Sequence, residues 1–195
     1  DIVHVEGSVD PVRDIETIDT ELILSDLEVV ENRLAKMEKA GKTGDKKAAA
    51  AAAWLAPLAQ HLGQGKNART FAFDEEDDEQ AAMVREMGLL TKKPIIYAAN
   101  MSEDDLLGGM QENPHYQTVK RLAEGEGAKC IPICAKTEED IADYSPEEKK
   151  AFLAEMGIEA TGLDNLIQAS YSLLGLISFL TDGKKECRAW TIRAA

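Results

Sequence analysis

Apolar residues recur at threes and fours from Asp10 onward, and this spacing sets the first prediction. Asp10-Pro11 supplies an N-cap followed by proline at the first helical position. Asp14 and Glu16 then complement the positive end of the helix dipole. Ile15, Ile18, Leu22, Leu27, Val30, Leu34 and Met37 mark an apolar stripe with charges between them, predicting one long helix to about Ala40. Gly41 and Gly44 are expected to end it. Asp45 can cap a second helix through the alanine run Ala48 to Ala53 and on to Leu62. Its stripe is Trp54, Leu55, Leu58 and Leu62; Pro57 should bend it, and Gly63-Gln64-Gly65 should stop it. Two helices joined by a short glycine-containing turn pack back on each other as a hairpin or coiled-coil arm. Lys42, Lys46 and Lys47 then lie at its tip. A third helix, about Asp77 to Met87, presents Met83, Val84 and Met87 and stops at Gly88.

After Lys93-Pro94 the pattern changes. Ile95 to Ala99 is a short continuous apolar run bounded by turn residues, the mark of a buried parallel strand. A helix from Tyr116 to Glu124, a second buried strand from Lys129 to Cys134, a helix from Ser145 to Met156 and a last one from Leu163 to about Gly175 follow. Strand, helix, strand, helix is the order of an α/β fold with a parallel sheet. Ile177 to Leu180 and Cys187 to Ile192, flanking Asp182-Gly183, predict a closing hairpin.

Charge changes this picture by giving it a map. The chain of 195 residues carries a net charge of −14, which excludes a generic basic nucleic-acid coat. Residues 1–40 hold 4 basic and 11 acidic groups, and residues 94–177 hold 6 and 15. Between Gly41 and Thr70, by contrast, Lys42, Lys46, Lys47, Lys66 and Arg69 face Asp45 alone, and residues 178–195 are mildly basic. The acidic run Asp74 to Glu79 lacks the spacing of a calcium loop and reads as a solvated loop or helix start. Cys130, Cys134 and Cys187 form no CxxC pair and leave an odd count, so a reducing compartment is expected and no metal site. No run of 18 apolar residues occurs, and a cytoplasmic protein is expected. His4 and His61 are not catalytic candidates. A chain opening on Asp1 rather than Met is expected to be a piece of a longer one.

Ligands of open α/β sheets bind beyond the carboxyl ends of the strands. Two such ends carry chemistry here: Asn100-Met101-Ser102-Glu103, and Cys134-Ala135-Lys136 after the second strand. Asn followed three residues later by a carboxylate resembles the base-reading motif of P-loop GTPases, and Cys-Ala-Lys resembles their Ser-Ala-Lys loop. In the usual Asn-Lys-x-Asp form the Asp accepts two hydrogen bonds from guanine and the Lys stem covers the ring. Glu103 is one methylene longer and Met101 replaces the Lys, so the guanine contact is misplaced. A site that loses such a bond forfeits roughly 10⁴-fold discrimination. Guanine selectivity should be lost and adenine accepted. The spacing alone equally allows Asn100 to cap a turn and Glu103 to be plain surface.

The match extends further. Asp1 to Leu22 resembles the stretch of the YchF, or Obg-like ATPase, family that leads into its coiled-coil insertion. Agreement continues through Asn100 to Glu103, Ile133-Cys134-Ala135 and Gly162-Leu163, and ends at Phe179 to Thr191, which resembles the opening of the family's TGS domain. The resemblance implies an α/β fold: part of a P-loop NTPase with a Rossmann-like parallel sheet, an antiparallel helical insertion and the start of a β-grasp TGS domain. Residues 1–14 and 89–176 would belong to the nucleotide-binding domain, 15–88 to the arm and 177–195 to the first TGS hairpin. It implies a ribosome-binding enzyme that hydrolyses ATP and also GTP with Mg²⁺. Asn100, Met101 and Glu103 would serve the base, with Cys134, Ala135 and Lys136 in the loop behind it. No G-x-x-x-x-G-K-[ST] phosphate loop occurs in these residues, so this chain alone is expected to be inactive, with no catalytic residue and no Mg²⁺ ligand of its own. From the charge map, Lys42, Lys46 and Lys47 are expected to touch rRNA or ribosomal protein; neither DNA nor membrane is expected as a partner. Two rival readings are a nucleotide-independent interaction module built on the helical arm, and an Obg-type GTPase that prefers GTP.

Overall fold

The computed structural model describes residues 7–74, 76–183 and 186–194. Expectations resting on residues 1–6, with His4 among them, on Glu75 and on Lys184 and Lys185 lie outside the described residues. The chain divides into two compact units at Pro94 and Ile95.

In the first unit α1 (Pro11–Lys42) and α2 (Lys46–Gly63) form the expected helical hairpin. Asp10 caps α1 by accepting from the Arg13 amide at 3.2 Å, and Asp45 caps α2 through the amides of Lys47 and Ala48. The helix does not stop at Ala40. Gly41 is helical because its bare Cα lets α2 approach: a Cβ there would lie 3.2 Å from the Ala49 Cα. The chain turns instead at Gly44, whose φ of +101° suits only glycine. The core joins Ile23 and Val30 of α1 to Ala51, Leu55, Leu58 and Leu62 of α2. Small alanines at the contact thus become the close-packing surface of the arm.

The stripe on α1 differs from expectation in two places. Ile18 is 55% exposed, while Ile23 is buried along with Asp26. A single-turn helix at Ala68–Thr70, α3 (Asp78–Met87) and a second single turn at Leu90–Lys92 complete the unit. Both Asp26 carboxylate oxygens are used by the second turn: they accept from the Leu90 amide at 2.7 Å, the Thr91 amide at 2.8 Å and the Thr91 hydroxyl at 2.6 Å. Thr91 Oγ1 accepts in turn from the Ala68 amide. A buried carboxylate is tolerated because donors replace its water.

In the second unit β1 (Ile96–Asn100) and β2 (Lys129–Ile133) pair in parallel, with Ile96 opposite Lys129 and Asn100 opposite Ile133. Between them α4 (Pro114–Gly125), capped by Asn113, buries Tyr116, Val119 and Ala123. The sequence pattern carries no signal for two elements, a π turn at Asp105–Gly109 and the short helix α5 (Ala135–Asp140); β2 ends one residue short of Cys134, which serves as the N-cap position of α5. Then come α6 (Pro146–Met156), held by a Ser145/Glu148 capping box, and α7 (Gly162–Leu173), capped by Thr161. The antiparallel strands β3 (Leu176–Asp182) and β4 (Cys187–Arg193) form the expected hairpin, with Phe179 opposite Trp190 and Ile177 opposite Ile192. The α/β class read from the sequence holds. No helix among the described residues is long and apolar enough to cross a membrane.

Candidate functional site

The parallel register brings the carboxyl ends of β1 and β2 level. The Met101 amide donates to the Ile133 carbonyl at 2.8 Å, extending the ladder by one rung. Asn100 then turns its side chain across the gap, and its Oδ1 accepts from the Ala135 amide at 3.1 Å. This bond joins the two segments that the sequence singled out. It uses the Asn100 carbonyl oxygen to hold the neighbouring loop.

The remaining candidates surround that bridge. Met101 is half-buried and Glu103 is exposed at the start of the turn leading into Asp105–Gly109. Ser102 Oγ donates to the Asp105 carboxylate at 2.7 Å and accepts from its amide, which sets that turn locally. Cys134 is buried at the N-cap position of α5 and contributes no side-chain cap. Ala135 and Lys136 are exposed in the first turn of α5. Among the described residues no hydrogen bond or ion pair occupies the Glu103 carboxylate or the Lys136 ammonium. Both are left to solvent or to a ligand.

Behind the loop, Glu138 was not anticipated. Its Oε1 accepts from the Leu163 amide at 3.2 Å, across 25 residues of sequence. Only the fold reveals this partnership, since nothing local marks Glu138 among its neighbouring acids. A cavity of about 220 Å³ adjoins, lined in part by Cys134, Thr137, Ile141, Leu153 and Thr161. The thiol of Cys130 on β2 is pushed up from its ordinary value by burial, with Lys120 opposing weakly. It therefore stays protonated and is a poor nucleophile or metal ligand at neutral pH. Among the described residues no group of three His, Cys, Asp or Glu side chains could hold a metal ion.

At the arm tip Lys42 and Lys46 are exposed, with no acidic partner among the described residues. Lys47 differs, because Glu79 in the first turn of α3 pairs with it and holds its ammonium above the usual lysine range. The acidic run is therefore in part a helix start: Asp77 caps α3 through the amides of Glu79 and Gln80.

Two parallel strands ending in a side chain that bridges to the next loop, with helices packed on them, define an α/β unit whose strand ends are where open sheets of this class bind ligands. Comparison with known proteins narrows the class. No protein-family model matches the chain. It is 46% identical over 192 residues to the ribosome-binding ATPase YchF of Bacillus subtilis, covering 98% of this chain and 51% of that protein. It is 42% identical over 191 residues to the protein of the same name from Escherichia coli O157:H7, again 98% and 51%. The solved structure of the Schizosaccharomyces pombe YchF GTPase superposes with a TM-score of 0.81 at 31% identity, covering 99% of this chain and 52% of that one. Along the matched stretch the chain is similar in sequence and in fold to these YchF proteins. It spans about half the length of the curated relatives it matches.

Proposed function

We propose that this chain supplies the base-binding part of the nucleotide site, and the ribosome-contacting arm, of a YchF-like ATPase that hydrolyses ATP and also GTP. The observation that carries the reading is the Asn100 Oδ1 to Ala135 amide bond. It ties the Asn-x-x-Glu segment, with Met101 and Glu103, to the Cys-Ala-Lys loop that carries Lys136. A half-buried thioether can cover a base face without selecting its edge, and an exposed carboxylate can accept from an exocyclic amine. These groups fit the base end of a nucleoside triphosphate. Bound Mg²⁺ would neutralise charge on the phosphates during phosphoryl transfer. No phosphate loop occurs in residues 1–195, so neither the metal nor the phosphates is assigned to a side chain here. In this reading residues 1–14 and 89–176 belong to the nucleotide-binding domain, 15–88 to the arm and 177–195 to the first hairpin of a TGS domain, in a cytoplasmic protein.

The curated relatives are named ribosome-binding ATPases and the fission yeast protein a GTPase, so both nucleotides enter the test. Titration of the full-length protein should show ATP bound at least as tightly as GTP. Asn100→Ala should weaken ATP by up to about tenfold, the upper end of the worth of one hydrogen bond. An unchanged ATP affinity would refute the base site, and a large preference for GTP would refute the roles of Met101 and Glu103.

A further inference from the structure

We infer that Glu138 is the positioning residue of the Cys134–Lys136 loop, setting its place for the nucleotide base by anchoring it to α7. The inference rests on the base-site reading above. The loop opens α5, a helix of six residues, and so short a helix cannot hold its own geometry. Something outside it must do so. In front, Asn100 holds one amide, that of Ala135. At the far end Ile141, 1% exposed, anchors the C-terminus of α5. Behind the loop Cys134 and Thr137, both buried, border the 220 Å³ cavity, and the Thr137 hydroxyl has no hydrogen-bond partner, so packing there lacks a directional contact.

Glu138 supplies the missing restraint. One turn after Cys134, its Oε1 accepts from the Leu163 amide, one of the donors left unpaired at the start of α7. Thr161 takes the next amide, that of Asp164, at 2.9 Å, so the two side chains share the helix start. The positive end of the α7 dipole favours a carboxylate there. The fit is close. A Cβ on Gly162 would lie 3.1 Å from Glu138 Oε1 and 3.2 Å from both the Cα and the Cγ1 of Ile133. The end of β2, the Glu138 carboxylate and the start of α7 therefore meet with no room for a methyl group. Rotation of α5 about its axis, which would carry Ala135 and Lys136 away from Asn100, breaks this contact.

Nucleotide affinity and steady-state kinetics of the full-length protein test the role. Glu138→Ala should raise the ATP Kd and KM by about tenfold, the loss expected when the accepting oxygen that orders the loop is removed, with kcat within about twofold. Glu138→Gln keeps the accepting oxygen and should restore affinity to within about twofold of wild type; a role confined to charge would not be rescued in this way. Glu138→Asp withdraws the oxygen by one methylene and carries the same expectation as Ala should the Ala variant fail to fold. Asn100→Ala runs in parallel. If it weakens ATP while Glu138→Ala and Glu138→Asp bind normally, the positioning role is overturned and the base site stands. If all three bind normally, the base site itself falls. A fall in kcat at unchanged KM in Glu138→Ala also overturns the role.

Discussion

The most exacting test of the arm is Asp26→Ala. Asp26 is 2% exposed, and its two oxygens serve three donors, two of which belong to Thr91, itself fully buried. Alanine leaves the amides of Leu90 and Thr91 and the Thr91 hydroxyl without their acceptor. Each unpaired buried donor costs about 1–3 kcal/mol, and bonds to a charged acceptor are worth about 1.5–3 kcal/mol each. The values do not add, because the same change also relieves the cost of burying the carboxylate. The net loss should be about 3 kcal/mol. Asp26→Asn keeps one carbonyl acceptor but points an amide group at a donor, and should lose about 2 kcal/mol. Because the chain forms two compact units, a single whole-protein transition is the wrong readout. Native-state hydrogen exchange at Ala68, Leu90 and Thr91 reports the node directly, and Trp54 fluorescence in a Trp190→Phe background reports urea unfolding of the arm. A loss below 1 kcal/mol, with unchanged exchange at those amides, would refute the view that this carboxylate ties α1 to the Leu90–Lys92 turn.

Further outcomes follow from the caps and the arm tip. Glu148 accepts from the Ser145 amide at 2.8 Å, and this bond holds its carboxyl below the usual range. A depressed folded pKa means that its contribution to α6 is present above the ordinary carboxyl value near 4.3 and is lost as pH falls through the lower folded value. Protection factors of the α6 amides, taken relative to the intrinsic exchange rate at each pH, should therefore fall between pH 5 and pH 3 in wild type, and Glu148→Gln, which cannot ionise, should flatten that fall. At the tip, Lys42→Glu with Lys46→Glu should reduce cosedimentation with ribosomes and lower its salt dependence, because exposed cations act on phosphate through counterion release. Adding Lys47→Glu should change less, since Glu79 already occupies that ammonium. Unchanged cosedimentation in the double variant would remove the tip from the interface.

Much of the architecture is written in local pattern. Asp10-Pro11, Asp45 and Ser145 announce helix starts because a side-chain oxygen three residues before an orphan amide can satisfy it without help from the rest of the fold. The apolar runs on β1 and β2, and the residues flanking Asp182-Gly183, name their strands for a similar reason. Gly41 misleads because its sequence signal is that of a stop, whereas its role is contact: the helix continues through it so that Ala49 can approach. Ile18 and Ile23, five residues apart, lie about 140° apart around α1, and which of them is buried depends on where α2 and the Leu90–Lys92 turn lie.

For the candidate site the division falls in the same place. Asn100, Met101, Glu103 and Cys134 to Lys136 are legible because strand ends and residue types are local properties. Their meeting is not local. The Asn100 to Ala135 bridge exists only because the parallel register sets Asn100 opposite Ile133, and Glu138 acquires its role only when α7 presents the Leu163 amide to it. The distribution of charge along the sequence likewise marks an acidic body and a basic tip, but tertiary contact pairs Lys47 with Glu79 and leaves Lys42 and Lys46 without an acidic partner among the described residues. Capping, periodicity and charge act over one or two turns and can be read along the chain. Buried carboxylates, close glycine contacts and bridges between loops are satisfied by partners from tens of residues away, and only the folded structure decides them.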